Sequence, residues 1–232
     1  MPSRLVPRLL LIGLLTLAAA ACQRSTPPEE PPVAPDEAPP EGALRVYVWR
    51  CEDGRKLTMR NLFRERAIEI DLDEGTQRLD QTVSASGVRY ANEGEAVVFW
   101  TKGDTARVER HGALPVPCRE LRAESLREDA RARGVIYRAL GNEPGWTLEI
   151  GPDGTLDWTT NYGEERHVFE DAVETAGGDL TSRRFTASSA AQSIAVTVRV
   201  EPCTDDAGVA FDYAATIEFA GGTLRGCAVR LN

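Results

Sequence analysis

Two short motifs put side chains able to do chemistry at turn-like positions: S-G-V-R-Y at residues 86–90 and K-G-D-T-A at 102–106, about a dozen residues apart. Each sets a polar side chain, Ser86 or Lys102, directly before a glycine. A serine hydroxyl is a nucleophile only beside a base that an acid orients. With two histidines in the chain, the available pairs are Ser86 with His111, or a second-half serine with His167. There is no G-x-S-x-G elbow and no phosphate-cradling glycine loop. Carboxylates are plentiful in a chain with 36 acidic residues and discriminate nothing. These residues point to binding rather than catalysis, so the expectation is a non-enzyme with no cofactor.

Ahead of them, Arg4 and Arg8 precede an apolar run over 9–17, and small residues lead to Cys22. Residues 1–21 therefore read as an export signal, too short in its apolar run to span a bilayer. The ending "LAAAAC" resembles a bacterial lipoprotein box. That resemblance implies cleavage before Cys22, acylation of its thiol with a fatty chain such as palmitate, and a membrane anchor without a spanning helix. Gln23 after the cysteine implies the outer membrane, with the globular part in the periplasm. Residues 22–42 form a tether whose stretch from 26 to 42 is proline and acid with little to bury, semi-extended and reaching roughly 50 Å at about 3.1 Å per residue.

Setting Cys22 aside leaves Cys51, Cys118, Cys203 and Cys227, which an oxidising compartment would pair. Sequence allows three pairings. Two cysteines fall in each half, so Cys51–Cys118 and Cys203–Cys227 is the economical choice. A zinc site is disfavoured because no cysteine pair has close ligand spacing, and no metal is expected.

The elements that must hold these residues read as strands. In the first half they are "RVYVWRC", "RAIEIDL", "RLDQTV", "AVVFWT" and "ARVER"; in the second, "VIYRAL", "GWTLEIG", "TLDWTT", "RHVFEDA", "IAVTVRVE", "FDYAATIEF" and "LRGCAVRL". Trp49 and Trp100 are expected in the core, each sitting in an apolar strand, and Ser182, Ser188, Ser189 and Ser193 in loops. Residues 121–134 combine helix formers and mixed charge with a terminal Gly134, predicting a short connecting helix whose apolar face is thin. The fold class is all-β: two small antiparallel β domains, 43–120 and 135–232, joined by that helix.

Charge is uneven. Residues 43–119 carry 13 basic and 12 acidic side chains, whereas 134–232 carry 7 and 15. This balance argues against nucleic acid as a partner, because binding its backbone needs a basic patch.

The order "YVWRCEDG", "LDQTVSASGVRY", "VFWTKGDTARV" and "PVPCRE" resembles the membrane-bound and periplasmic inhibitors of c-type lysozyme, over about residues 44–120. The resemblance implies a barrel of the eight-stranded type closed by the disulfide, with c-type lysozyme as partner. It also implies that Ser86, Gly87, Tyr90, Lys102 and Gly103 meet the enzyme's active-site cleft. The rival expectation is an envelope ligand-binding or scaffold lipoprotein that does not inhibit lysozyme.

From about residue 135, "GNEPGW" at 141–146, "TNYG" at 160–163 and the cysteines in "PC" and "GCA" resemble an uncharacterised family of bacterial envelope proteins. That family usually has a large aromatic where this chain has Gly145. Asn142, Glu143, Trp146, Trp158 and Tyr162 are candidates for a polar and aromatic pocket that takes a sugar or a peptide.

Overall fold

A computed structural model describes residues 43–176 and 180–232. The export signal, Cys22 and the tether lie outside the described residues.

Eight strands, β1 (Val46–Cys51), β2 (Lys56–Leu62), β3 (Ala67–Leu72), β4 (Gly75–Thr82), β5 (Val88–Ala91), β6 (Val97–Lys102), β7 (Thr105–Arg110) and β8 (Val116–Glu120), form a closed antiparallel barrel in sequence order. Closure comes from β1 pairing with β8, where Cys51 lies opposite Cys118 and the two are disulfide-bonded. Alternation along each strand sends every second side chain inward. Trp49, Leu57, Ile68, Ile70, Leu79, Phe99 and Val108 fill the interior, with Trp49 edge-on to Phe99 at 5.6 Å. Burying such an aliphatic or Phe side chain contributes about 1.5–3 kcal/mol.

Helix α1 (Arg122–Ala132) follows, and its end is a Schellman motif: Gly134 N–H bonds Arg131 O and Val135 N–H bonds Ala130 O, with Gly134 at φ +83°. Its thin apolar face has a physical reason. Beyond Glu120 there is no β8 to pair with β1, so α1 satisfies the bare backbone with polar side chains. Ser125 Oγ accepts the Val48 N–H at 2.9 Å, and Asp129 accepts the Arg45 N–H. Both side chains are buried.

The second half is one antiparallel sheet of nine strands: β9 (Tyr137–Asn142), β10 (Gly145–Ile150), β11 (Leu156–Thr160), β12 (Glu165–Phe169), β13 (Val173–Ala176), β14 (Ser182–Ser188), β15 (Ser193–Thr204), β16 (Ala210–Phe219) and β17 (Gly222–Arg230). The last strand, β17, pairs with the first, β9, joining the two runs into a curled sheet. Its inner face buries Leu148, Ile150, Leu156, Trp158, Phe169, Val196 and Ile217. A disulfide from Cys203 on β15 to Cys227 on β17 spans β16.

The all-β expectation holds, as do the connecting helix and both cysteine pairings. Three expectations fail. Strands β2, β5, β8, β13 and β14 escape a search for apolar runs because they are short or mostly polar. Ser182, Ser188 and Ser193 are strand residues, not loop residues; Ser182 is buried, and Ser188 and Ser193 share a cross-strand hydrogen bond at 2.8 Å. Trp100 is outside the barrel, because the neighbouring Phe99 is fully buried and alternation forces the two apart.

Candidate functional site

The two motifs meet at one end of the barrel. Strand β5 pairs with β6 so that Val88 faces Thr101, which puts Gly87 opposite Lys102 at the start of the β6–β7 hairpin. Gly87 has φ +67°, and a Cβ there would collide with the Thr101 carbonyl and press on Lys102 Cβ at 3.2 Å. Only glycine gives this loop both its turn and its approach to β6. Trp100 pins the loop from outside: its indole N–H donates to Ser86 O at 2.8 Å, while the Arg107 guanidinium covers the ring at 4.1 Å. Ser84 Oγ closes the turn with a bond to Gly87 O at 3.0 Å.

On the facing hairpin, Gly103 has φ +61° in a two-residue connection between Lys102 and Thr105, and Thr105 Oγ1 donates to Lys102 O at 2.8 Å. Asp104 is taken up by an ion pair with Arg119. Ala106 lies buried opposite Cys118, where a larger side chain would crowd the disulfide. Tyr90 is half-buried against the barrel core opposite Phe99, and burial raises its phenol above the usual value.

What remains exposed is the Ser86 hydroxyl and the Lys102 ammonium, and neither has a hydrogen-bond or ion-pair partner among the described residues. A hydroxyl both donates and accepts; an ammonium donates three bonds and carries charge. Among the described residues no side chain hydrogen-bonds the Ser86 hydroxyl as a general base would. His111 follows Arg110 at the other end of the β6–β7 pair, six residue steps or roughly 20 Å from the Lys102 tip. His167 lies tilted against Trp158 at 5.2 Å, on the edge strand β12.

Trp100 and Arg107 are the parts of this site that apolar patterning missed. The signal was in the sequence: adjacent strand residues Phe99 and Trp100 cannot both face inward.

In the nine-stranded sheet the candidate residues separate. Trp146 is buried, its indole lying over Gly141 and against Gly226, where any Cβ would collide with it or with Leu140 O. The first glycine and the tryptophan of "GNEPGW" are thus a packing pair. Tyr162 is exposed, and its ring lies on Gly145, occupying the room a side chain there would need; its hydroxyl reaches Asn142 O at 3.3 Å. Asn142, Trp146 and Tyr162 border a cleft beside α1, and Asn142 and Glu143 border a second, polar cleft over β15–β17. Trp158 is in the core, packed on Phe219, and borders neither.

No curated protein and no solved structure matches the chain. Among the described residues no helix is long and apolar enough to cross a membrane. The barrel that carries both motifs matches, over residues 49–117, the model of the family described as membrane-bound lysozyme-inhibitor of c-type lysozyme, a family of inhibitors and not of enzymes.

Proposed function

We propose that this chain inhibits c-type lysozyme by seating the Ser86 and Lys102 loops in the enzyme's active-site cleft. The observation that carries this reading is the pair of exposed polar groups, unpartnered among the described residues and set side by side through Gly87, in a barrel matching an inhibitor family. A lysozyme cleft holds one carboxyl kept protonated by apolar surroundings and one kept ionised. One serine hydroxyl complements both, accepting from the first and donating to the second. Lys102 adds a charge-assisted hydrogen bond to an acidic cleft. Gly87 and Gly103 allow close backbone approach, and Tyr90 braces the first loop from the core side.

The mature, oxidised chain should inhibit c-type lysozyme at micromolar concentration or below, measured as lysis of a peptidoglycan suspension. Ser86→Ala and Lys102→Ala should each weaken inhibition by about tenfold or more, the scale of a lost hydrogen bond to a charged group. No inhibition by the wild type would sink the function; full potency in both variants would reject the mechanism alone.

The chain also acts, in this reading, as an outer-membrane lipoprotein acylated at Cys22. Its leader and the membrane-bound description of the matched family support this. Cys22→Ala should move the protein from the membrane to the soluble fraction; continued co-sedimentation with outer membrane would reject the anchor.

A further inference from the structure

A trough of about 680 Å³ lies between α1 and the outer face of the nine-stranded sheet. Its walls are largely apolar: Leu126 from α1, Leu140 and Val229 from β9 and β17, Phe211 at the start of β16, and Tyr162 at the far rim. Along its floor Leu140, Thr147 and Thr159 stand in direct register on β9, β10 and β11. With β17 included, the trough crosses four adjacent strands, a length of roughly 14 Å at about 4.8 Å per strand spacing. That shape suits an extended chain better than a compact ring.

The charges on these walls are nearly all consumed. Glu124 pairs with Lys56 at 2.8 Å and Arg138 with Glu149 at 2.6 Å. Asp205 Oδ1 accepts the Ala207 and Val209 N–H groups. Arg127 is the exception: half-buried, it makes no ion pair, hydrogen bond or ring contact among the described residues. A guanidinium presents a planar fork of donors that fits a carboxylate, and in the absence of a protein partner those donors are left to water or to an incoming anion. It stands in the trough's wall although the second half of the chain is strongly acidic.

We propose that this trough binds a long-chain alkyl carboxylate, the carboxylate on Arg127 and the chain against Leu126, Leu140, Val229 and Phe211. The site is independent of the lysozyme-binding reading, since none of these residues belongs to the Ser86 or Lys102 loops.

The test uses the mature chain with Cys22→Ala, so that no attached acyl chain competes, titrated calorimetrically with sub-micellar dodecanoate, dodecanol and dodecyltrimethylammonium. Dodecanoate should bind saturably, one per chain, and more tightly than either of the others. Arg127→Ala should weaken dodecanoate about tenfold or more while leaving dodecanol unchanged. Leu126→Ser should weaken both. Circular dichroism checks that each variant is folded, and lysozyme inhibition by Arg127→Ala should equal that of its parent. Absence of saturable dodecanoate binding, equal affinity in Arg127→Ala, or tighter binding of the cationic amphiphile would each overturn the proposal. So would self-association of the ligand-free chain that Leu126→Ser abolishes, which would assign the trough to a second copy.

Discussion

Gly87 decides the geometry of the candidate site, because two constraints coincide there. Its φ of +67° disfavours any Cβ, and the Thr101 carbonyl leaves no space for one. Gly87→Ala should cost about 1–3 kcal/mol of barrel stability from backbone strain and contact together, and should reduce lysozyme inhibition far more than Lys102→Ala does. Denaturant unfolding and the lysis assay measure the two effects; an alanine variant of full potency would show that the loop tolerates relocation. Tyr90 makes a second prediction. Burial favours its neutral phenol and raises its folded-state value above 10.0. Its contribution is therefore complete below the unfolded value and lost as pH rises through the folded one, giving an alkaline limb above about pH 10. Tyr137, also raised mainly by burial, adds a second such group in the other sheet. Tyr90→Phe should shrink that limb without abolishing it, as followed by thermal unfolding against pH.

At the scale of elements, the barrel's closing seam is short. Strands β1 and β8 share three residue pairs, from Trp49↔Glu120 to Cys51↔Cys118, and the disulfide sits at its end. The bond spans 67 residues, and in the loop-entropy picture such a link contributes about 4 kcal/mol. The Cys51→Ser, Cys118→Ser double variant should lose approximately that much on chemical denaturation, with loss of inhibition following from the opened seam. A loss below about 1 kcal/mol would mean that side-chain packing alone closes the barrel. Helix α1 takes over where β8 stops. Through Asp129, Arg133 and Glu149 it also carries an ion-pair chain, at 2.8 and 2.7 Å, to β10 of the second sheet. One polar helix thus serves both halves, since the bare backbone of β1 needs hydrogen-bond partners rather than apolar cover.

Over the whole molecule the net charge of −9 misleads as a guide to partners, because the barrel itself is close to neutral. Binding of a basic lysozyme through the barrel should therefore rest on shape and on the local contacts of Ser86 and Lys102. The association rate should change by less than about threefold between 50 and 300 mM salt, whereas strongly steered pairs fall steeply. Stopped-flow mixing measures this directly. A steep fall would bring the acidic second half into the interface.

The sequence by itself determined the all-β class, the connecting helix with its glycine stop and the two motifs, and it narrowed four cysteines to three pairings, because these depend on local periodicity, turn chemistry and cysteine count. Alternation also required Phe99 and Trp100 to part, though not which of them turns inward. Tertiary structure decided that, along with the contact of Gly87 on β6, the Trp100 bond to Ser86 and the use of Ser125 and Asp129 to satisfy β1. It also laid Tyr162 over Gly145 and left Arg127, among the described residues, without a partner in an apolar wall. Each of these depends on strand register or on packing between residues far apart in the chain. A period of two cannot distinguish one register from its neighbour two residues along, and only closing the sheets does so.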